Sequence, residues 1–151
     1  LTLRQRVLAA LGQFDAALDD IRTAREHWQH GNDQHRSCLL HLYEAEVLRR
    51  MGNLPAALAL VEAELQRPEL HAAIDEGMAP PQAHADLWRV LAAAGDPRAT
   101  AQLQAAVNKL AGTCARLPDR ADRERLLGVP RVNRELMAAA RAAGLQPLPQ
   151  A

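Results

Sequence analysis

Aromatic side chains are scarce in this 151-residue chain: Phe14, Trp28, Tyr43 and Trp88 are its complete set of Phe, Trp and Tyr. Four such rings are too few for a platform on which nucleic-acid bases stack. An excess of charge is also missing, because 18 basic residues face 18 acidic ones. A nucleic-acid module usually gathers basic residues on one face, so no nucleic-acid partner is expected. Cysteine is limited to Cys38 and Cys114, both in helix-like segments. Two such cysteines read as free, buried thiols in a reducing compartment. No apolar run approaches the roughly 20 residues that span a bilayer, so no membrane partner is expected. Strand signals fail too, since β-branched residues are sparse and no stretch alternates apolar with polar. The chain holds no phosphate-cradling Gly-rich loop, no Gly-x-Ser-x-Gly elbow and no His-Glu-x-x-His helix. These absences point away from an enzyme, and no cofactor is expected. The chain opens at Leu1, mid-pattern and without Met. We therefore read it as a piece of a longer cytoplasmic protein.

What is present is a phrase that recurs. It reads Leu-Gly-Gln-Phe-Asp-Ala-Ala-Leu at 11–18, Met-Gly-Asn-Leu-Pro-Ala-Ala-Leu at 51–58 and Ala-Gly-Asp-Pro-Arg-Ala-Thr-Ala at 94–101. Each copy ends a helix, turns at a Gly and restarts on small residues. The glycines Gly12, Gly52 and Gly95 are spaced 40 and then 43 residues apart. A period in this range marks a helical array in which each hairpin buries its apolar face against its neighbours.

Helix periodicity fills the intervals. Leu3, Val7, Leu8 and Leu11 form a first stripe, and Leu18, Ile21, Ala24, Arg25 and Trp28 a second, stopped at Gly31. A third face is drawn by Leu39, Leu42, Tyr43, Val47 and Met51, and a fourth by Leu58, Val61 and Leu65 behind Pro55. Residues 68–81 carry Pro68, Gly77, Pro80 and Pro81 and leave room for one short helix around Leu70–Asp75. Then come Leu87, Trp88 and Leu91, followed by the clearest stripe of the chain: Leu103, Val107, Leu110, Cys114 and Leu117. Trp88, between Leu87 and Leu91, is expected to anchor a core. Two short charged helices follow, separated at Gly128-Val129-Pro130, before Gly144 and the late prolines.

The turn phrase resembles the tetratricopeptide repeat, in which a Gly closes the first helix and small residues open the second. On that alignment the small position falls at Ala17, Ala57 and Thr100. The spacing exceeds the family's 34 residues, Pro97 replaces an apolar residue, and the family's final Pro survives only as Pro68. Residues 84–143 resemble more narrowly the C-terminal repeat array of large bacterial signalling ATPases of the STAND/AAA type. The residues carrying this are Trp88-Arg89-Val90-Leu91, Gly95-Asp96-Pro97-Arg98-Ala99, Leu117-Pro118-Asp119, Arg123 to Leu127, Val129-Pro130 and Asn133-Arg134-Glu135-Leu136. In that family the array follows an ATPase module, often fused to a cyclase, kinase or transcription-activator domain.

The resemblances imply an all-α fold of antiparallel hairpins stacked as a right-handed superhelix (an α-solenoid) with C-terminal capping helices. They imply a single helical-repeat domain over 1–151. Repeat 1 spans about 1–31, repeat 2 about 33–67, a linker 68–81, repeat 3 about 82–117, capping helices 119–143 and a frayed tail 144–151. The implied function is a non-catalytic protein-interaction and regulatory scaffold in signal transduction or transcription control. Its partner would be a protein, a peptide or a neighbouring domain of the same chain. The family's groove-facing positions map onto Arg6, Glu46, Arg50 and Arg89, expected to point outward as a mixed-charge groove.

Two further clusters carry candidate chemistry of their own. His27-x-x-His30 and His35-x-x-Cys38-x-x-His41 flank one tight turn, so His27, His30, His35 and Cys38 define an alternative, a small metal- or ligand-binding helical domain. Their spacing fits no common zinc frame, and surface histidines beside a core cysteine are the favoured reading. Glu44/Glu46 and Glu62/Glu64 sit two apart on helices and diverge, so both pairs are expected on solvated faces. Finally, the first helix opens with an apolar stripe and no preceding hairpin. That face predicts a homodimer through the N-terminal hairpin, with Leu3 and Val7 near the contact, where no further repeat covers it.

Overall fold

Glycines in the left-handed region end the helices. Gly12, Gly52 and Gly95 have φ of 76°, 85° and 67°. In each case the glycine amide and the next amide bond back to the last helical turn. Gln13 N–H donates to Leu8 O at 2.9 Å, Asn53 N–H to Leu48 O at 2.9 Å and Asp96 N–H to Leu91 O at 2.9 Å. This six-to-one closure needs an αL residue at its corner, a conformation that disfavours any side chain with a Cβ. The recurring phrase is therefore one helix stop used three times. Gly144, with φ 68°, repeats it, and Leu145 N–H donates to Ala140 O at 3.0 Å.

The computed structural model describes residues 3–30, 34–75, 80–146 and 148–150, and every regular element within them is an α-helix. The stop expected at Gly31 and the turn at Gly77 lie outside the described residues. The chain divides into two compact units, Leu1–Met78 and Ala79–Ala151, with the division inside the stretch expected as a linker.

The first unit holds α1 (Leu3–Ala10), α2 (Phe14–His30), α3 (Gln34–Arg50), α4 (Leu54–Leu65) and α5 (Pro68–Asp75). Asn53 caps α4, its Oδ1 accepting from Ala56 N–H at 3.3 Å, and Pro55 sits in the first turn, where a missing N–H is harmless. Ala9 and Ala17 are fully buried, so α1 and α2 approach closely, and Ala57 does the same for α4. The third helix is the hub, packed against α2, α4 and α5. Its residues 40–47 are all buried, because three neighbours leave no open side.

The α1 stripe differs from its expectation. Val7 and Leu11 are 47% and 67% exposed, while Gln5 and Ala9 face inward. Gln5 is held there by two backbone contacts: its Nε2 donates to Asp20 O at 3.1 Å, and Tyr43 Oη–H donates to Gln5 O at 3.1 Å. In so short a helix these contacts fix which face turns inward.

The second unit holds α6 (Pro81–Ala93), α7 (Arg98–Arg116), α8 (Arg120–Gly128) and α9 (Arg131–Ala142). The α7 stripe is buried as expected at Leu103, Val107, Leu110 and Cys114. It packs with Ala85, Leu136 and Met137, and Trp88 is half-buried against the same cluster. α7 packs chiefly on α6, and of the two short helices α9 covers more of it than α8, which buries no residue fully. Side chains fasten the corners. Arg123 Nη1 donates to Leu117 O at 2.8 Å, and Asn133 Nδ2 donates to Leu126 O at 2.7 Å. Of the tail expected to fray from 144 onward, residues 144–146 and 148–150 are described. Leu145 and Leu148 pack on the core, and Pro149 is buried.

His84 is buried in α6, with Nδ1 3.5 Å from Gln102 Oε1. Burial pushes its pKa below the ordinary histidine value, so it is neutral in the fold at pH 7. The unfolded chain takes up a proton below about pH 6.5 and the folded one resists it. Stability of the second unit is therefore full above that pH and falls as the solution is acidified through it. In a Trp28→Phe background, Trp88 fluorescence should report a lower melting temperature at pH 5.5 than at pH 7.5. The difference should shrink in His84→Gln; an unchanged pH dependence there would assign the effect to other groups.

Candidate functional site

Expected solvated pairs of acids turn out to be internal. Glu44, Glu46 and Glu64 are 8%, 6% and 3% exposed, and Glu62 is half-buried. Each of the three buried carboxylates is close to a cation. Arg25 Nη1 donates to Glu44 Oε2 at 2.6 Å. Arg49 holds Glu46 with two bonds of 2.7 and 3.0 Å. Glu64 gathers the largest group: His41 Nδ1 lies 2.6 Å from Oε1, and Arg67 Nη1 donates to the same oxygen at 3.2 Å. The Cys38 thiol also donates to Glu64. The signals for this were Arg25 inside an apolar stripe and arginines three residues after Glu46 and Glu64, where a helix brings them together.

This cluster contains Cys, His and Glu, yet its electrostatics oppose nucleophilic chemistry. Burial first, and the hydrogen bond to Glu64 second, push the Cys38 thiol up to about 12. A nucleophilic cysteine needs the opposite shift. Burial also opposes the charge on Glu64, but hydrogen bonds from His41 and Cys38 with the Arg67 charge outweigh it and hold the carboxyl below its ordinary value. The thiol stays protonated and the carboxylate ionised, which suits a structural network.

Of the alternative cluster, Cys38 and His27 are described and have other partners. The Cys38 thiol turns to Glu64, and His27 is exposed, its ring set edge-on against Trp28 with centroids 5.5 Å apart. The side chains of His30 and His35 lie outside the described residues. Among the described residues, no group of three or more His, Cys, Asp and Glu is placed to hold a metal ion.

The four groove positions separate. Arg6, Glu46 and Arg50 belong to the first unit, and Arg89 to the second. Arg6 is half-buried with its guanidinium over the Tyr43 ring, 4.6 Å from the centroid, and exposed Arg50 stacks over Phe14 at 5.3 Å. Glu46 was expected outward and is instead buried, because α3 is enclosed and Arg49 neutralises it. Arg89 was also expected outward. It instead fastens α6 to α9, donating to Glu135 at 2.9 and 2.6 Å and to Asp86 at 2.9 Å. Of the three groove positions in the first unit, Arg6 and Arg50 thus keep contact with the surface and Glu46 does not. Near these lie apolar positions at helix ends, Leu11 beside the first turn and Met51 beside the second, 67% and 40% exposed. No helix among the described residues is long and apolar enough to cross a membrane. Comparison with protein-family models, curated proteins and solved structures finds no match to this chain.

Proposed function

We propose that this chain is a non-catalytic helical-repeat scaffold that binds protein, in the manner of the regulatory repeat arrays of bacterial signalling ATPases. Stacking of its hairpins as a right-handed solenoid belongs to this reading. The helix stop repeated at Gly12, Gly52 and Gly95 supports it, as does the pairing of the buried carboxylates Glu44, Glu46 and Glu64 with Arg25, Arg49 and His41. The observation that carries it is an exposed apolar edge, Val7 on α1 and Leu11 in the turn that follows it, 47% and 67% exposed. The two form a contact edge that packing within the unit does not use; the side chain of Leu3, also expected there, lies outside the described residues.

The occupant of that edge is a second copy of the chain whenever no further repeat covers it. Burying side chains of this size contributes about 1.5–3 kcal/mol each, enough for a weak dimer once association costs are met. Light scattering over a hundredfold concentration range should show a monomer–dimer equilibrium. Leu11→Glu should leave a monomer throughout. A wild-type chain that stays monomeric at every concentration removes the contact edge and the reading that rests on it.

A further inference from the structure

An open cavity of about 670 Å³ lies in the second unit between α8, α9 and the returning tail. Its charge is lopsided. Arg120, Arg134 and Arg141 line it against the one carboxylate of Glu124. That carboxylate is already engaged, accepting from Arg120 Nε at 2.9 Å. Arg134 is fixed differently: its Nη1 donates to the carbonyls of Gly128 at 2.9 Å and Val129 at 2.6 Å. Two neutral carbonyls orient the guanidinium and leave its charge uncancelled. Arg141 is exposed and meets no carboxylate among the described residues. Arg134 and Arg141 are seven positions apart on α9, two turns on one face and about 10 Å along the axis. Leu127, Met137 and Pro149 supply an apolar wall to the same cavity.

We propose that this cavity binds a small oxyanion attached to an apolar group. Arg134 and Arg141 take the anionic end, and the apolar part lies against Leu127, Met137 and Pro149. Forked guanidiniums match phosphate and carboxylate oxygens bidentately, and a mixed charged and apolar lining selects both halves of such a molecule. The site lies wholly in the second unit and does not depend on the α1 contact edge.

Calorimetric titration of the whole chain with phenyl phosphate tests this, with inorganic phosphate supplying the charge alone and phenol the ring alone. Phenyl phosphate should bind more tightly than either, and amide shifts on titration should centre on 120–128, 134–141 and 148–150. Arg141→Gln should weaken binding about tenfold, the scale of one lost charge-assisted contact. Arg141→Lys, which keeps the charge and loses the fork, should fall between. Arg131→Gln removes the same charge from α9 away from the cavity and should leave binding within about twofold if screening by salt is matched. Phenylacetate decides the oxyanion: binding equal to that of phenyl phosphate points to a carboxylate ligand, and weaker binding to a phosphate. The proposal is overturned if inorganic phosphate binds as tightly as phenyl phosphate, if Arg131→Gln weakens binding as much as Arg141→Gln, or if no saturable binding occurs.

Discussion

Glu64→Ala should destabilise the first unit by about 3 kcal/mol, a loss near the top of the range for single substitutions. The carboxylate is 3% exposed and serves three groups from two segments: Cys38 and His41 on α3 and Arg67 after α4. Removing it leaves the Cys38 thiol and the His41 ring without their acceptor in a place that water does not reach. It also opens a cavity where α4 packs on α3. At roughly 4–8 °C per kcal/mol for a unit of this size, the melting temperature should drop by roughly 15 °C. Trp28 on α2, read in a Trp88→Phe background, reports it. Glu64→Gln keeps the volume and an acceptor oxygen, so its loss should be smaller. Asp19→Ala breaks an ion pair with Arg22 whose partners are 74% and 59% exposed, and should cost at most about 1 kcal/mol. A Glu64→Ala chain that melts with Asp19→Ala would mean that the buried network contributes nothing net.

Arg89→Ala should cost the second unit about 2–4 kcal/mol. Arg89 is the pin between α6 and α9, and its two carboxylate partners are unequal. Asp86 is 2% exposed and Glu135 is 37% exposed. Without Arg89, Glu135 turns to solvent, whereas Asp86 remains inside, accepting from Gln82 Nε2 at 2.7 Å. Most of the expected loss is therefore the cost of a buried carboxylate deprived of the Arg89 charge. That assignment has a signature. Removing Asp86 as well should restore part of the stability, so Asp86→Ala with Arg89→Ala should melt higher than the sum of the single losses predicts. Glu135→Gln alone should cost no more than about 1 kcal/mol. Strict additivity of Asp86→Ala and Arg89→Ala would show that the two side chains stabilise the unit independently.

How much of this was legible in the sequence depended on how many sides each helix has covered. The α7 stripe was readable because α7 presents one apolar face and keeps the other polar, so the 3.6-residue period survives. The third helix has neighbours on three sides, and enclosure erases the period: His41, Glu44 and Glu46 are as much inside as Leu42 and Val47. Charge on such a helix reads as solvent exposure until its partners are placed, and for Glu44 and His41 those partners, Arg25 and Glu64, come from other elements. Glycine stops were readable because an αL corner is a local demand that the chain must meet by itself. The inward turn of Gln5 was not, since Asp20 and Tyr43 set it from 15 and 38 positions away. The tail misled for a related reason. Late prolines suggest fraying, but Leu148 and Pro149 find a site on a core made of much earlier residues.

The division of the chain at Met78 and Ala79 also bears on how the molecule comes into being. The cluster of Ala9, Ala17, Leu18, Ile21, Leu40, Tyr43 and Val47 lies within the first unit, and most helix pairs of that unit are adjacent in the chain. Such local topology folds quickly, because little chain must be drawn together before contacts are rewarded. During synthesis the first unit can therefore complete its core before the last residues of the second leave the ribosome. The second unit must wait longer. Its core needs Leu136, Met137 and Leu148, so the α6–α7 hairpin lacks part of its cover until those residues have emerged.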